Sequence, residues 1–201
     1  KGSIQIATHD ARIIVPPTVD IVSTLALSAT IDRNHIELTG DISVPKGKIT
    51  VQQLPSSAAN VSSDIVYTGS DADKLPQSTP LSFSSKLKII LGPDIEFSGF
   101  GASAKLDGLL QLEQSPTTPA MAQGEINIVQ GKYRAYGQKL DIRRGRLLFA
   151  GGVQQPNIDV EAIRKVDDST VGVRVSGFAS APELTPFSEP NMPDQDILFR
   201  L

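Results

Sequence analysis

Apolar and polar residues alternate with a period of two through most of this chain, and no other feature limits its fold as much. Val19, Ile21, Leu25, Leu27, Ala29 and Ile31 occupy odd positions, while Ser28, Thr30 and Asp32 stand on even ones. Leu81, Phe83, Leu87, Ile89 and Leu91 repeat the pattern, with Lys86 and Lys88 between them. Successive side chains of a β-strand point to opposite faces, so each run makes one oily face and one wet face. No window carries the i, i+3, i+4, i+7 stripe of an amphipathic helix.

The densest patterning lies between Gln123 and Gly152, where three strands are expected. Ile126 and Ile128 alternate with Glu125 and Asn127, Leu140 and Ile142 with Lys139, Asp141 and Arg143, and Leu147 to Ala150 follows. Gly131, Gly137, Gly145 and the pair Gly151-Gly152 punctuate them. Elsewhere, turns are expected at Asp32-Arg33-Asn34, Pro45-Lys46-Gly47, Gly92-Pro93-Asp94 and Asp167-Asp168, and a kink from Gly99 to Gly101. Pro55–Asn60 and Thr68–Pro80 read as loops around a short strand at Ile65-Val66-Tyr67. Turn signals every ~8–15 residues read as an all-β antiparallel meander. One domain over residues 1–201 is expected. Its exit over 181–201 is Pro-rich and irregular, with Asp194 capping the start of a terminal helix.

An internal repeat reinforces the meander. GDISVPKGKI begins at Gly40 and GEINIVQGKY at Gly124; both read Gly-acidic-Ile-x-aliphatic-x-x-Gly-Lys-apolar, and a weaker echo, GLLQL, begins at Gly108. Matched copies point to a repetitive sheet whose units stack on one another.

Composition excludes several functions. The chain of 201 residues has no Cys, so disulfides and thiolate metal sites are out. Its net charge of -3 is spread along the chain, without the basic stripe of a nucleic-acid binder. No apolar run approaches the ~18 residues of a membrane-spanning helix. The first residues begin in mid-pattern and the last stop on an apolar note. The expectation is a piece of a longer protein, with any membrane anchor outside it. There is no Trp, with only three Tyr and seven Phe, so the apolar face is almost wholly aliphatic. A long aliphatic sheet face suits alkyl chains as partners. Closure into an ordinary sandwich core is the competing expectation.

Catalytic and metal chemistry finds little to stand on. His9 and Asp10 are adjacent and point to opposite faces. Asp71, Asp73, Asp167 and Asp168 lack the oxygen-dense spacing of a calcium loop and suit turns. No nucleophile elbow is present, and no glycine-rich stretch opens a helix. Neither cofactor nor metal is expected, and the chain does not read as an enzyme. Lys139, Arg143, Arg144 and Arg146 form the densest basic cluster. It reads as a solvated strand face, or else as a contact for anionic lipid headgroups or an acidic partner.

The run GEINIVQGKYRAYGQKLDIRRGRLLFAGGVQQPNIDVEAIR resembles the C-terminal domain family of TamB proteins, also called DUF490. The match lies in AYGQ, in the glycine spacing and in the closing A-x-R. GVRVSGFASAPELTPFSEP and the region from Ile42 to Asp64, with Pro-x-G-x-I, QLP and VSSD, extend it over most of the chain. The resemblance implies a sheet curled into an open, taco-like trough with an aliphatic interior. It implies the periplasmic part of a protein anchored in the inner membrane of a Gram-negative bacterium. Its implied partner is a TamA-like Omp85 barrel in the outer membrane, and its implied role is outer-membrane biogenesis. Its implied cargo is phospholipid acyl chains or unfolded outer-membrane protein strands. With such a trough, polarity assigns Leu87, Ile89, Leu110, Leu112, Ile126, Ile128, Leu140, Ile142, Ile158, Val160, Val173 and Val175 to the groove. The alternative is an adaptor domain with a closed core that docks an outer-membrane partner.

Overall fold

A computed structural model of the chain describes residues 2–15, 18–51, 81–99, 101–135 and 137–200. The strands are β1 (Gly2–Val15), β2 (Val19–Asp32), β3 (His35–Val51), β4 (Ser82–Gly99), β5 (Ala102–Ser115), β6 (Thr118–Ala135), β7 (Gln138–Gly152), β8 (Asn157–Val166), β9 (Ser169–Phe178) and β10 (Glu183–Glu189). A short helix, α1 (Asp194–Arg200), follows β10. The strands form one ten-stranded sheet in chain order, β1 at one edge and β10 at the other. The expected all-β meander is therefore present, and the edges do not pair into a barrel.

One pair breaks the antiparallel rule. β3 and β4 run parallel, with Ile42 opposite Ile89 and Ile49 opposite Phe97. Parallel neighbours need a crossover connection of a dozen or more residues, and residues 52–80 separate these two strands. The strand and loops expected over Pro55–Pro80 fall there, outside the described residues.

Several expected breaks are not breaks. Gly92-Pro93-Asp94 is a bulge inside β4, where the register slips between Leu91 and Ile95. Pro45-Lys46-Gly47 is likewise a slip inside β3. β6 passes through Gly131 and β7 through Gly145, so the Gln123–Gly152 stretch holds two long strands rather than three short ones. Bulges insert residues without ending a ladder, and they bend the strand that carries them. β4 reaches 18 residues as a result, roughly 60 Å of extended chain. The Pro-rich tail also corrects the expectation of an irregular exit. Glu183–Glu189 pairs with β9, with Pro186 opposite Val173; proline is tolerated there because β10 is an edge strand. Asp167 does turn the chain, at φ 54, between β8 and β9.

The sheet is a single layer, yet Ile95 is 0% exposed. A flat sheet one layer thick cannot bury a side chain fully, so this one curls over its apolar face. Val44, Ile95, Ala104 and Leu106 form the packed floor, with Ile21 of β2 and Ile128 of β6 packed against it. Towards the margins the same face opens: Ile4 and Ile6 on β1 are 53% and 44% exposed.

Candidate functional site

The candidate site is the inner face of the curl, and strand register defines it. Leu87 stands opposite Leu112, and Ile89 opposite Leu110. Leu110 stands opposite Gly124, while Ile126 and Ile128 face Gly108 and Leu106. Leu147 faces Ile126, and Leu140 and Ile142 face Tyr133 and Gly131. Ile158 and Val160 face Leu147 and Gly145. Val160 then faces Val175, and Ala162 faces Val173. Directly opposed residues project from the same side of a sheet. Register thus carries every residue assigned to the groove on polarity onto one face. Leu110 and Leu140 are buried there, and the rest are half-buried. β1 to β3 extend the same face with Ile6, Leu27, Leu25 and Ile42. The alternation that would have placed them is visible in the sequence.

The glycines of the repeat have one shared job. Gly40 and Gly124 have φ of +142° and +126°, a region that side chains rarely adopt. A Cβ at Gly40 would stand 2.1 Å from the Ala26 carbonyl oxygen, and one at Gly124 would stand 2.1 Å from that of Leu109. Both lie on the inner face between large neighbours: Leu27 and Leu87 for the first, Leu110 and Phe149 for the second. The second glycines of the two copies sit in the same setting, Gly47 against Ile21 and Gly131 against Ile142. On the concave side of a curled sheet the side chains converge. Leaving out a side chain at regular intervals makes room for the isoleucines and leucines beside it.

The outer face is polar, and charges from β7 to β10 pair with one another there. The Arg143 Nε donates to Glu161 at 2.6 Å and its Nη2 to Glu189 at 3.0 Å, while Arg174 donates to Glu161 at 2.8 Å. Both guanidiniums flank the Phe187 ring, 5.7 and 5.4 Å from its centroid. Burial pushes the Glu161 carboxyl up, but the hydrogen bonds from Arg174 and Arg143 outweigh it and hold the group below the usual carboxylate range. The hydrogen bond from Arg143 likewise lowers Glu189. This network fastens β7 to β10. Arg144 pairs with Asp159, and Arg146 reaches Glu125 and Asp159. Those arginines are thus matched by carboxylates of the fold, while Lys139 stands apart from them.

The two histidines lie in different settings. The His35 ring nitrogens lie 2.8 and 2.9 Å from the Ser82 and Ser84 hydroxyls, a stitch across the parallel β3–β4 pair. His9 is exposed beside the β1 bulge, next to Asp10 at φ 52. Among the described residues no group of His, Asp or Glu is arranged to hold a metal ion. No described helix is long and apolar enough to cross a membrane.

The helix α1 lies against β9 and β10. Arg164 donates to the Arg200 carbonyl at 3.5 Å, and Ser188 accepts from the Met192 amide at 2.8 Å. Arg164 and Ser188 both stand opposite Val171, on the inner face. The helix therefore covers that end of the concave side, where Ile197 and Val171 are buried.

The sequence has a counterpart among known proteins. A translocation and assembly module subunit TamB from Haemophilus influenzae is 34% identical over 201 aligned residues. That alignment takes in 90% of this chain and 15% of the relative, so the chain spans a small part of the relative's length. The family model for the TamB C-terminal domain matches residues 1–201, and the chain belongs to that family.

Proposed function

We propose that the inner face is an apolar groove for the acyl chains of phospholipids, within a periplasmic protein of outer-membrane biogenesis. The observation that carries this reading is a mainly aliphatic face running across a sheet that curls without closing. Each methylene costs about 0.8 kcal/mol to keep in water. A lining of uniform, non-directional contacts removes that cost at every step, so a chain can slide without being trapped. The relative's name, a translocation and assembly module subunit, supports a role in moving or assembling cargo. On this reading the membrane anchor lies in another part of the protein, and a TamA-like Omp85 barrel receives the cargo. The same lining would shield the apolar face of an unfolded barrel strand.

The test separates groove from closed core and one cargo from the other. Photo-reactive residues at Leu112 and Ile142 are expected to cross-link phospholipid in cells. Leu112→Glu and Ile142→Glu should leave the sheet folded and abolish that cross-link, because half-buried groove residues can keep a charge wet. Unfolding by both variants would mean a closed core and an adaptor role. Cross-links to outer-membrane proteins alone would make the barrel strand the cargo.

A further inference from the structure

The cations of the outer face are not all matched. Arg12 pairs with Asp20, Lys86 with Glu113 and Lys105 with Asp94, as the arginines of β7 and β9 pair with their own carboxylates. Lys132, Arg134 and Lys139, like Lys46, Lys48, Lys88 and Lys165, form no ion pair among the described residues. The first three stand together where β6 ends and β7 begins. Arg134 lies directly opposite Lys139, and Lys132 opposite Ser103 and Asp141. Like charges directly opposed across a ladder are destabilising. The sheet thus holds two cations face to face here, although the chain's net charge is -3.

Open hollows lie beside them, and the first is lined by Glu96 as well as by Lys48 and Lys105. Two adjoining hollows of about 400 Å³ each share Ser98, Ser103 and Lys132 in their linings, and the second also takes in Arg134 and Lys139. Ser98 and Ser103 face each other across β4 and β5, and their hydroxyls have no partner among the described residues. The hollows are shallow, and all three cations are exposed. An enclosed pocket with converging donors would suit a free phosphate ion. A broad, wet rim at the strand ends suits a surface that carries many phosphates.

We propose that Lys132, Arg134 and Lys139, with the Ser98 and Ser103 hydroxyls, form an anion site for the phosphate of phospholipid headgroups and hold this end of the sheet against an anionic bilayer. The site goes beyond the groove reading and needs no acyl chain inside the curl. A bound phosphate relieves the Arg134–Lys139 repulsion and accepts hydrogen bonds from the serines.

Co-sedimentation of the chain with vesicles of phosphatidylglycerol and phosphatidylcholine tests it. Arg134→Gln with Lys139→Gln is expected to weaken binding roughly tenfold or more, the scale for two cations near an anionic surface. Lys86→Gln with Lys88→Gln removes the same charge from the other end of the outer face and should change it by less than about twofold. The first pair relieves a repulsion, so its melting temperature should be no lower than the parent's, and lost binding will not be lost fold. Equal losses from both pairs, or no loss from the first, would overturn the site. Phosphate-induced amide shifts at Ser98, Ser103 and Lys132 without vesicle binding would overturn the bilayer in favour of a free anion. The vesicle assay does not read the cross-links at Leu112 and Ile142, so a failed groove and a failed rim give different results.

Discussion

The floor of the curl and its β1 margin are built from the same material and behave differently. Ile95 and Ile4 both lie on the inner face, each in an alternating strand, each among aliphatic neighbours. Ile95 is 0% exposed and Ile4 is 53% exposed. Residue type and face are equal, so curvature makes the difference. The middle strands bend around Val44, Ile95, Ala104 and Leu106. Bulges in β3 and β4 and the side-chain-free glycines of the repeat permit that bend. Among the described residues β1 has a neighbouring strand on one side only. Burial here depends on local curvature, and the same isoleucine is core at one place and groove wall at another.

The strongest way to break that comparison is a charge in the floor. Ile95→Glu places an unpaired carboxylate where no water reaches, a cost above about 5 kcal/mol and comparable to the stability of a whole domain. Circular dichroism should find no cooperative unfolding transition. A folded Ile95→Glu chain would mean that the floor is wet.

Next comes the bend itself. Gly124→Ala or Gly40→Ala drives a Cβ into a neighbouring carbonyl and forces alanine into a glycine backbone conformation. Strain and overpacking together should cost about 3 kcal/mol, measured by urea denaturation. Equal effects at the two positions would sharpen the view that the repeat is a device for curvature. A neutral result at either would remove that glycine from it.

The outer face gives a smaller effect with a pH signature. Glu161→Gln removes the charge that holds Arg143 and Arg174, costing about 2 kcal/mol at neutral pH. The folded carboxyl titrates below its unfolded value. Its contribution is therefore complete above the unfolded carboxylate pKa, about 4.3, and is lost as pH falls through the lower, folded value. Thermal melts from pH 7 downwards should show the parent losing part of its margin over Glu161→Gln in that acid range. A margin constant with pH would show that the network acts without its charge.

The smallest effect belongs to the β1 margin. Ile4→Ser and Ile6→Ser should each change stability by no more than about 0.5 kcal/mol. A loss near that of a core truncation would mean that this margin is floor as well, and the contrast with Ile95 would collapse.

Much of the face was legible in the residues. The alternation of Leu87 with Lys88, or Val173 with Arg174, assigns a side to each residue without reference to any neighbour. The repeat was also legible, since Gly40 and Gly124 sit at the same place in matched decapeptides. Strand ends were less so. Gly131, Gly145 and Gly92-Pro93-Asp94 look like breaks because glycine and proline usually end strands, and only pairing with two neighbours reveals a ladder continuing through them. Pro186 hid β10 for the same reason. The Lys132–Arg134–Lys139 rim was hidden differently. Arg143, Arg144 and Arg146 are denser in sequence, but their carboxylate partners lie on β6, β8 and β10, and only the side-chain distances across the sheet separate matched from unmatched cations.

The sequence by itself determined the all-β class, the two unlike faces, the aliphatic character of one of them and the family. These follow from period, composition and motif, which are local properties of a chain. Tertiary structure decided the parallel β3–β4 junction, the depth of the curl, which isoleucines are buried and which charges are left over. Those depend on what stands across the ladder and how far the sheet bends, and a strand carries no record of its neighbour.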